Sequence, residues 1–206
     1  MSDYKPDKIL WVISKDYIKE LDFDYIETYS FNRFTPLIQI EYDQLSKQRE
    51  QGRLLPLSMK RFEELKNLYN GSELLIDKNG FFHPSSVKMS TFKKDDPETL
   101  HLKQILGMDV VEWLAMLCAP FYRDAVVFYN SSGQIVSVLN VCLECMHITT
   151  GNKELQADFE VYDLLKKFFL KNGHRVENPD YFIMDQFGDK KAKFLAERDS
   201  KKNNEQ

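Results

Sequence analysis

The sequence predicts an α+β protein in which short antiparallel sheets pack against helices. Three observations carry this. Residues 124–142 hold two apolar, β-rich runs, DAVVFYN and QIVSVLNVC, joined around Ser131-Ser132-Gly133, which is the pattern of a hairpin. Leu155, Phe159, Tyr162, Leu165 and Phe169 recur at helical spacing and trace a stripe for burial. Phe62, Leu65 and Tyr69 do the same on a shorter segment.

Taken in order, Ile9–Ser14 (ILWVIS) is short, apolar and β-branched and reads as a strand. Residues 23–42 hold one or two more, with Pro36 ahead of the alternating Leu37-Ile38-Gln39-Ile40. Residues 43–53 are compatible with a helix up to Gly52. A clearer helix runs from Met59 to Tyr69, with Ser58 as N-cap and Asn70-Gly71 as its end. Residues 73–83 (ELLIDKNGFFH) suggest a second hairpin turning at Asn79-Gly80.

Residues 84–97 are polar and proline-bounded and read as a linker or exposed loop. They divide an N-terminal α/β half, 1–95, from a helix-hairpin-helix half, 96–188, and a charged tail, 189–206. A single domain is equally compatible with the length. Residues 98–106 form a short helix closed by Gly107. Asp109 caps the next, with Val110, Val111, Leu114, Leu117 and Cys118 on one apolar face and Pro120 as the stop. After Thr150-Gly151-Asn152 comes a helix of about 18 residues with Gly173 at its C-cap.

Composition bounds the function. The chain of 206 residues is 43% hydrophobic and 29% charged, which suits a globular fold. Its net charge of −4 is evenly spread, −2 in residues 1–100 and −2 in 101–206, so no basic surface calls for nucleic acid. No apolar stretch approaches the roughly 20 residues that span a bilayer, and a membrane is not expected as a partner. The apolar run Ile9–Ile13 is too short for a signal-peptide core. Three cysteines, an odd number, do not suggest a disulfide framework. These features together point to the cytoplasm.

The stretch 138–147, VLNVCLECMH, holds the one chemically suggestive spot. With the hairpin turning at Ser132-Gly133, facing residues have numbers that sum to about 265, so Cys142 lies opposite Arg123. Cys118 is five residues before Arg123. Cys118, Cys142, Cys145 and His147 therefore converge as a candidate Cys₃His set for zinc, whose softness suits thiolates and imidazole. Two arguments oppose it. Side chains of a continuing strand alternate, placing Cys142 and Cys145 on opposite faces, and Leu143-Glu144 contains neither glycine nor proline to turn the chain. Buried structural thiols and a redox pair of Cys142 with Cys145 are the other readings. Glu144 disfavours a nearby thiolate and weakens the redox one.

The order Cys118, Pro120, Arg123-Asp124-Ala125, VVFYNSSGQIV, then Asn140-Val141-Cys142-Leu143-Glu144-Cys145 resembles a motif of small uncharacterised bacterial proteins. In these, an "FYD-x-x-GK" hairpin runs into "N-I-C-F-x-C". The resemblance covers residues 118–147 and implies that the three cysteines belong together; it implies no reaction.

Elsewhere the signals are weaker. His174 follows Gly173, where a cation complements the helix dipole, and serves as a reserve ligand. The aromatics Phe23, Tyr25, Tyr29, Phe31 and Phe34 suit core packing or a partner-binding face. Ser85-x-x-Lys88 lacks the motifs that accompany it in enzymes, and there is no phosphate-binding glycine loop, G-x-S-x-G or H-E-x-x-H. The expectation is a non-catalytic module acting through a protein partner. A structural zinc module and a thiol oxidoreductase are the alternatives.

Overall fold

The computed structural model describes residues 10–33, 36–70, 73–111, 113, 118–185 and 196. Strands β1 (Leu10–Ile13), β2 (Tyr25–Ser30), β3 (Val87–Lys93), β4 (Asp124–Tyr129), β5 (Ile135–Cys142), β6 (His147–Thr150) and β7 (Lys153–Gln156) form one seven-stranded sheet. Their order is β1-β7-β6-β5-β4-β2-β3. Every pairing is antiparallel except β1 with β7. The helices are α1 (Ser14–Glu20), α2 (Pro36–Glu50), α3 (Pro56–Asn70), α4 (Pro97–Leu106) and α5 (Phe159–Lys171). The class is α+β. The sheet is longer than expected, because strands from both sides of residue 95 share it instead of forming a small sheet each.

The hairpin at 124–142 has the expected register, from Asp124 opposite Val141 to Phe128 opposite Ser137. β4 is central and buried along its whole length. On one face Ile26, Val126, Phe128, Leu139 and Ile148 pack with residues of α1, α4 and α5. Ala125, Val127, Tyr129 and Cys142 belong to a second cluster with Phe31, Leu75 and Tyr122. Alternation along each strand separates the two sets.

Helix ends follow their local chemistry. Asp158 caps α5 by accepting from the Glu160 N–H. At the other end Gly173 adopts φ 83°, with Gly173 N–H bonding to Leu170 and His174 N–H to Phe169, a Schellman motif. α2 ends the same way at Gly52, φ 66°, with Gly52 N–H to Arg49 and Arg53 N–H to Gln48. Pro56 opens α3 at a position where its missing N–H costs nothing, two residues ahead of the expected cap Ser58.

Several expectations change. Leu37–Ile40 is helix, not strand: Pro36 begins α2, and four alternating residues do not specify a period. Residues 87–93 are strand, not linker; β3 is an edge strand with a single partner, β2, so little apolar patterning is needed. Residues 153–156 are β7 rather than helix. The 73–83 hairpin reduces to one bridge, Ile76 with Phe82. Of the expected helix beyond Asp109, residues 112 and 114–117 lie outside the described residues, while Val110, Val111, Trp113 and Cys118 are not helical; the charged tail lies outside them except for residue 196. Phe23 and Phe31 are buried in the core, Tyr25 and Tyr29 pack against it partly buried, and Phe34 lies outside the described residues.

Candidate thiol centre

β5 ends at Cys142 and β6 begins at His147, with a turn between them. Met146 makes that turn by adopting φ 50°, a left-handed conformation unusual for a side chain without a local polar group. Sequence offered no glycine here, and the bend depends on it little. Once the chain leaves the strand at residue 143, alternation no longer holds Cys145 away from its neighbours.

Cys145 is bonded to Cys118 across 27 residues, with Cα atoms 6.0 Å apart. Cys142 is the remaining thiol and is buried. Its sulfur accepts the Phe121 N–H at 3.3 Å and a second backbone N–H, that of Cys145. His147 faces Cys142 across β5 and β6, and its Nδ1 lies 3.0 Å from the Glu154 carboxylate. Among the described residues no group of three or more His, Cys, Asp or Glu side chains is arranged to hold a metal ion.

Burial pushes the Cys142 thiol above its ordinary pKa; the Cys145 and Phe121 N–H groups and the Arg123 charge oppose the rise. Glu144, between the two cysteines, is engaged by Arg123 at 2.9 Å. Arg123 also reaches Glu177 at 3.4 Å and stacks over Phe121. A cleft of about 360 Å³ opens beside the turn, lined by Leu143, Glu144, Met146, Tyr162, Lys166 and Tyr181, among others. Lys166 closes its floor by donating to the carbonyls of Asn178 and Tyr181, both at 2.5 Å.

A second polar cluster was not legible in the sequence. His174, expected to complement the dipole of α5, is buried and held by side chains of the sheet. Its Nδ1 is 2.8 Å from Asp124 and its Nε2 is 3.1 Å from the Thr28 hydroxyl. Hydroxyl, imidazole and carboxylate thus follow one another as in a nucleophilic triad. Yet Thr28, His174 and Asp124 are 0%, 3% and 2% exposed, so no substrate reaches the hydroxyl. Arg33 holds the other Asp124 oxygen at 2.5 Å and pairs with Glu177 at 2.7 Å. This cluster fastens β2, β4 and the end of α5 together.

The structure therefore brings Cys118 and Cys145 into a bond, buries Cys142 against the Phe121 and Cys145 N–H groups, and pairs His147 with Glu154. The residues that sequence reasoning missed are Arg33, Thr28, Asp124 and Glu177. Their hydrogen bonds span up to 146 positions, from Thr28 to His174, and no local pattern announces them. No protein-family model, no curated protein and no solved structure matches this chain.

Proposed function

We propose that this protein is a non-catalytic binding or accessory module acting through a protein partner, with the thiol centre as its fastener. The observation that carries the reading is the state of the sulfurs. Two are paired with each other, and the third is buried with a raised pKa, whereas a nucleophilic thiol needs a lowered pKa and access. The triad-like cluster lacks access as well. Small-molecule alkylation of the unreduced native chain near neutral pH should label no thiol until denaturant is added. Rapid labelling of Cys142 in the folded chain would instead favour a thiol oxidoreductase. In-cell cross-linking should recover one partner in near-stoichiometric amount, and its absence would overturn the partner reading.

The setting we propose is the cytoplasm, where disulfides are largely kept reduced. That gives structural zinc a specific footing as the second reading. Reduction frees Cys118 and Cys145 beside Cys142, whose sulfur already receives two backbone N–H groups, the hydrogen bonding that a thiolate ligand favours. His147, oriented by Glu154, would be the fourth ligand. Protein purified under reduction without chelator should then carry about one zinc per chain. Metal-free, reduced and stably folded protein would exclude it.

A further inference from the structure

Away from the sheet, α2 and α3 form an antiparallel pair, joined by Arg61 to Glu41 at 2.9 Å and by Tyr42 stacked on Phe62 at 5.5 Å. Their connection carries a run of exposed apolar side chains that includes the most exposed leucine among the described residues. Leu55 is 69% exposed, Leu57 86% and Met59 41%, with the exposed Pro56 between the leucines. The Schellman end of α2 and the proline start of α3 fix the helix ends at this tip.

The charge around the tip is equally particular. Residues 47–60 contain Lys47, Arg49, Arg53 and Lys60 against the single acid Glu50, a net +3 in a chain of −4, so everything outside them sums to −7. All four basic residues are exposed. Exposed leucines at a helix connection, with exposed basic side chains in the connection and the flanking turns, suit a surface that is soft enough to admit leucines and anionic enough to hold the basic groups. We infer that the α2–α3 tip is a peripheral docking element for anionic lipid headgroups, with Leu55 and Leu57 entering the interface and Lys47, Arg53 and Lys60 lying among the phosphates. Apolar insertion and basic attraction are the two signals that peripheral binding combines. The acidic remainder of the chain is repelled by such a surface and turns the tip toward it. The inference goes beyond the partner reading and does not involve the thiol centre. It departs from the expectation that no membrane is a partner, which rested on spanning length; no helix among the described residues is long and apolar enough to cross a membrane, and peripheral contact needs none.

Co-sedimentation of the full chain with vesicles tests it. The chain should pellet with phosphatidylcholine vesicles containing about one quarter phosphatidylglycerol and not with phosphatidylcholine alone, and high salt should release it. The Leu55→Ser/Leu57→Ser variant and the Lys47→Gln/Arg53→Gln/Lys60→Gln variant should each bind at least about tenfold more weakly. Arg49 is left in place because it stacks on Phe62. Unchanged melting temperatures would show both variants folded. A chain that stays in the supernatant with anionic vesicles, or binds them equally after tip substitution, overturns the inference. So does tip-dependent self-association without vesicle binding, which would assign the tip to a second copy.

Discussion

The cluster around His174 and the centre around Cys142 are both built from residue types that enzymes use, and they differ chiefly in what surrounds them. Thr28, His174 and Asp124 are linked in catalytic order but closed off on every side. Around Cys142 the sulfur is equally buried, while its neighbours Arg123 and Glu144 reach solvent, at 24% and 50% side-chain exposure. Connectivity among reactive groups is thus a weak sign of chemistry; access decides. In the first cluster the same groups act as a bolt between β2, β4 and the end of α5. In the second, burial quiets a thiol that backbone N–H groups and Arg123 would otherwise activate.

The largest effect should come from breaking the bolt. Asp124→Ala leaves the mostly buried Arg33 without its closest carboxylate and His174 without its acceptor, and should lower stability by about 3–5 kcal/mol in urea titrations. A loss below about 1 kcal/mol would mean that the cluster is wetter than its burial implies. Next comes the fastener of the thiol centre. Cys118→Ser opens a loop of 27 residues, and loop-closure entropy gives about 3.5 kcal/mol for the oxidised chain. The same substitution under strong reductant should cost far less, unless zinc takes the place of the bond.

Alkali probes how tightly the core is sealed. Tyr17, bonded to Ser137 at 2.9 Å, is pushed up to about 12, burial being the main cause. Below pH 10 the phenol is protonated in both states and its contribution is fully present. As pH rises above 10 the unfolded chain loses the proton and the folded chain keeps it, so stability should fall by about 1.4 kcal/mol per pH unit from this group until its folded pKa is passed. Tyr17→Phe should flatten that part of a pH titration of the unfolding free energy. The smallest effect belongs to the exposed rim. Glu144→Gln removes a half-exposed ion pair and should change stability by about 0.5 kcal/mol or less. It should also speed Cys142 alkylation modestly in mild denaturant, because it removes a charge that opposes the thiolate.

What could be read in advance was local. The register of β4 with β5 followed from one turn, because facing residues in a hairpin are tied by counting. Gly173 could be placed at the end of α5, since a left-handed residue there favours glycine. Distant pairing was out of reach. β7 reads as the start of a helix until β1 supplies its parallel partner 143 positions away. β3 reads as a linker because an edge strand needs only one neighbour. At the thiol centre the convergence of Cys118 with the β5–β6 end was legible, whereas the choice of Cys145 over Cys142 as its partner depended on the chain leaving β5 after Cys142.

By itself, then, the sequence determined the α+β class, the central hairpin, the helix that follows it and the approach of Cys118 to the end of β5, all of which depend on short-range spacing and on periodicity. Tertiary structure alone decided that both halves share one sheet, that His174 is a core residue bonded to Asp124 and Thr28, and which two sulfurs join. The physical reason is that burial and pairing are properties of the space between segments. A side chain's access to solvent, and hence its chemistry, is set by neighbours that stand as far as 146 positions away.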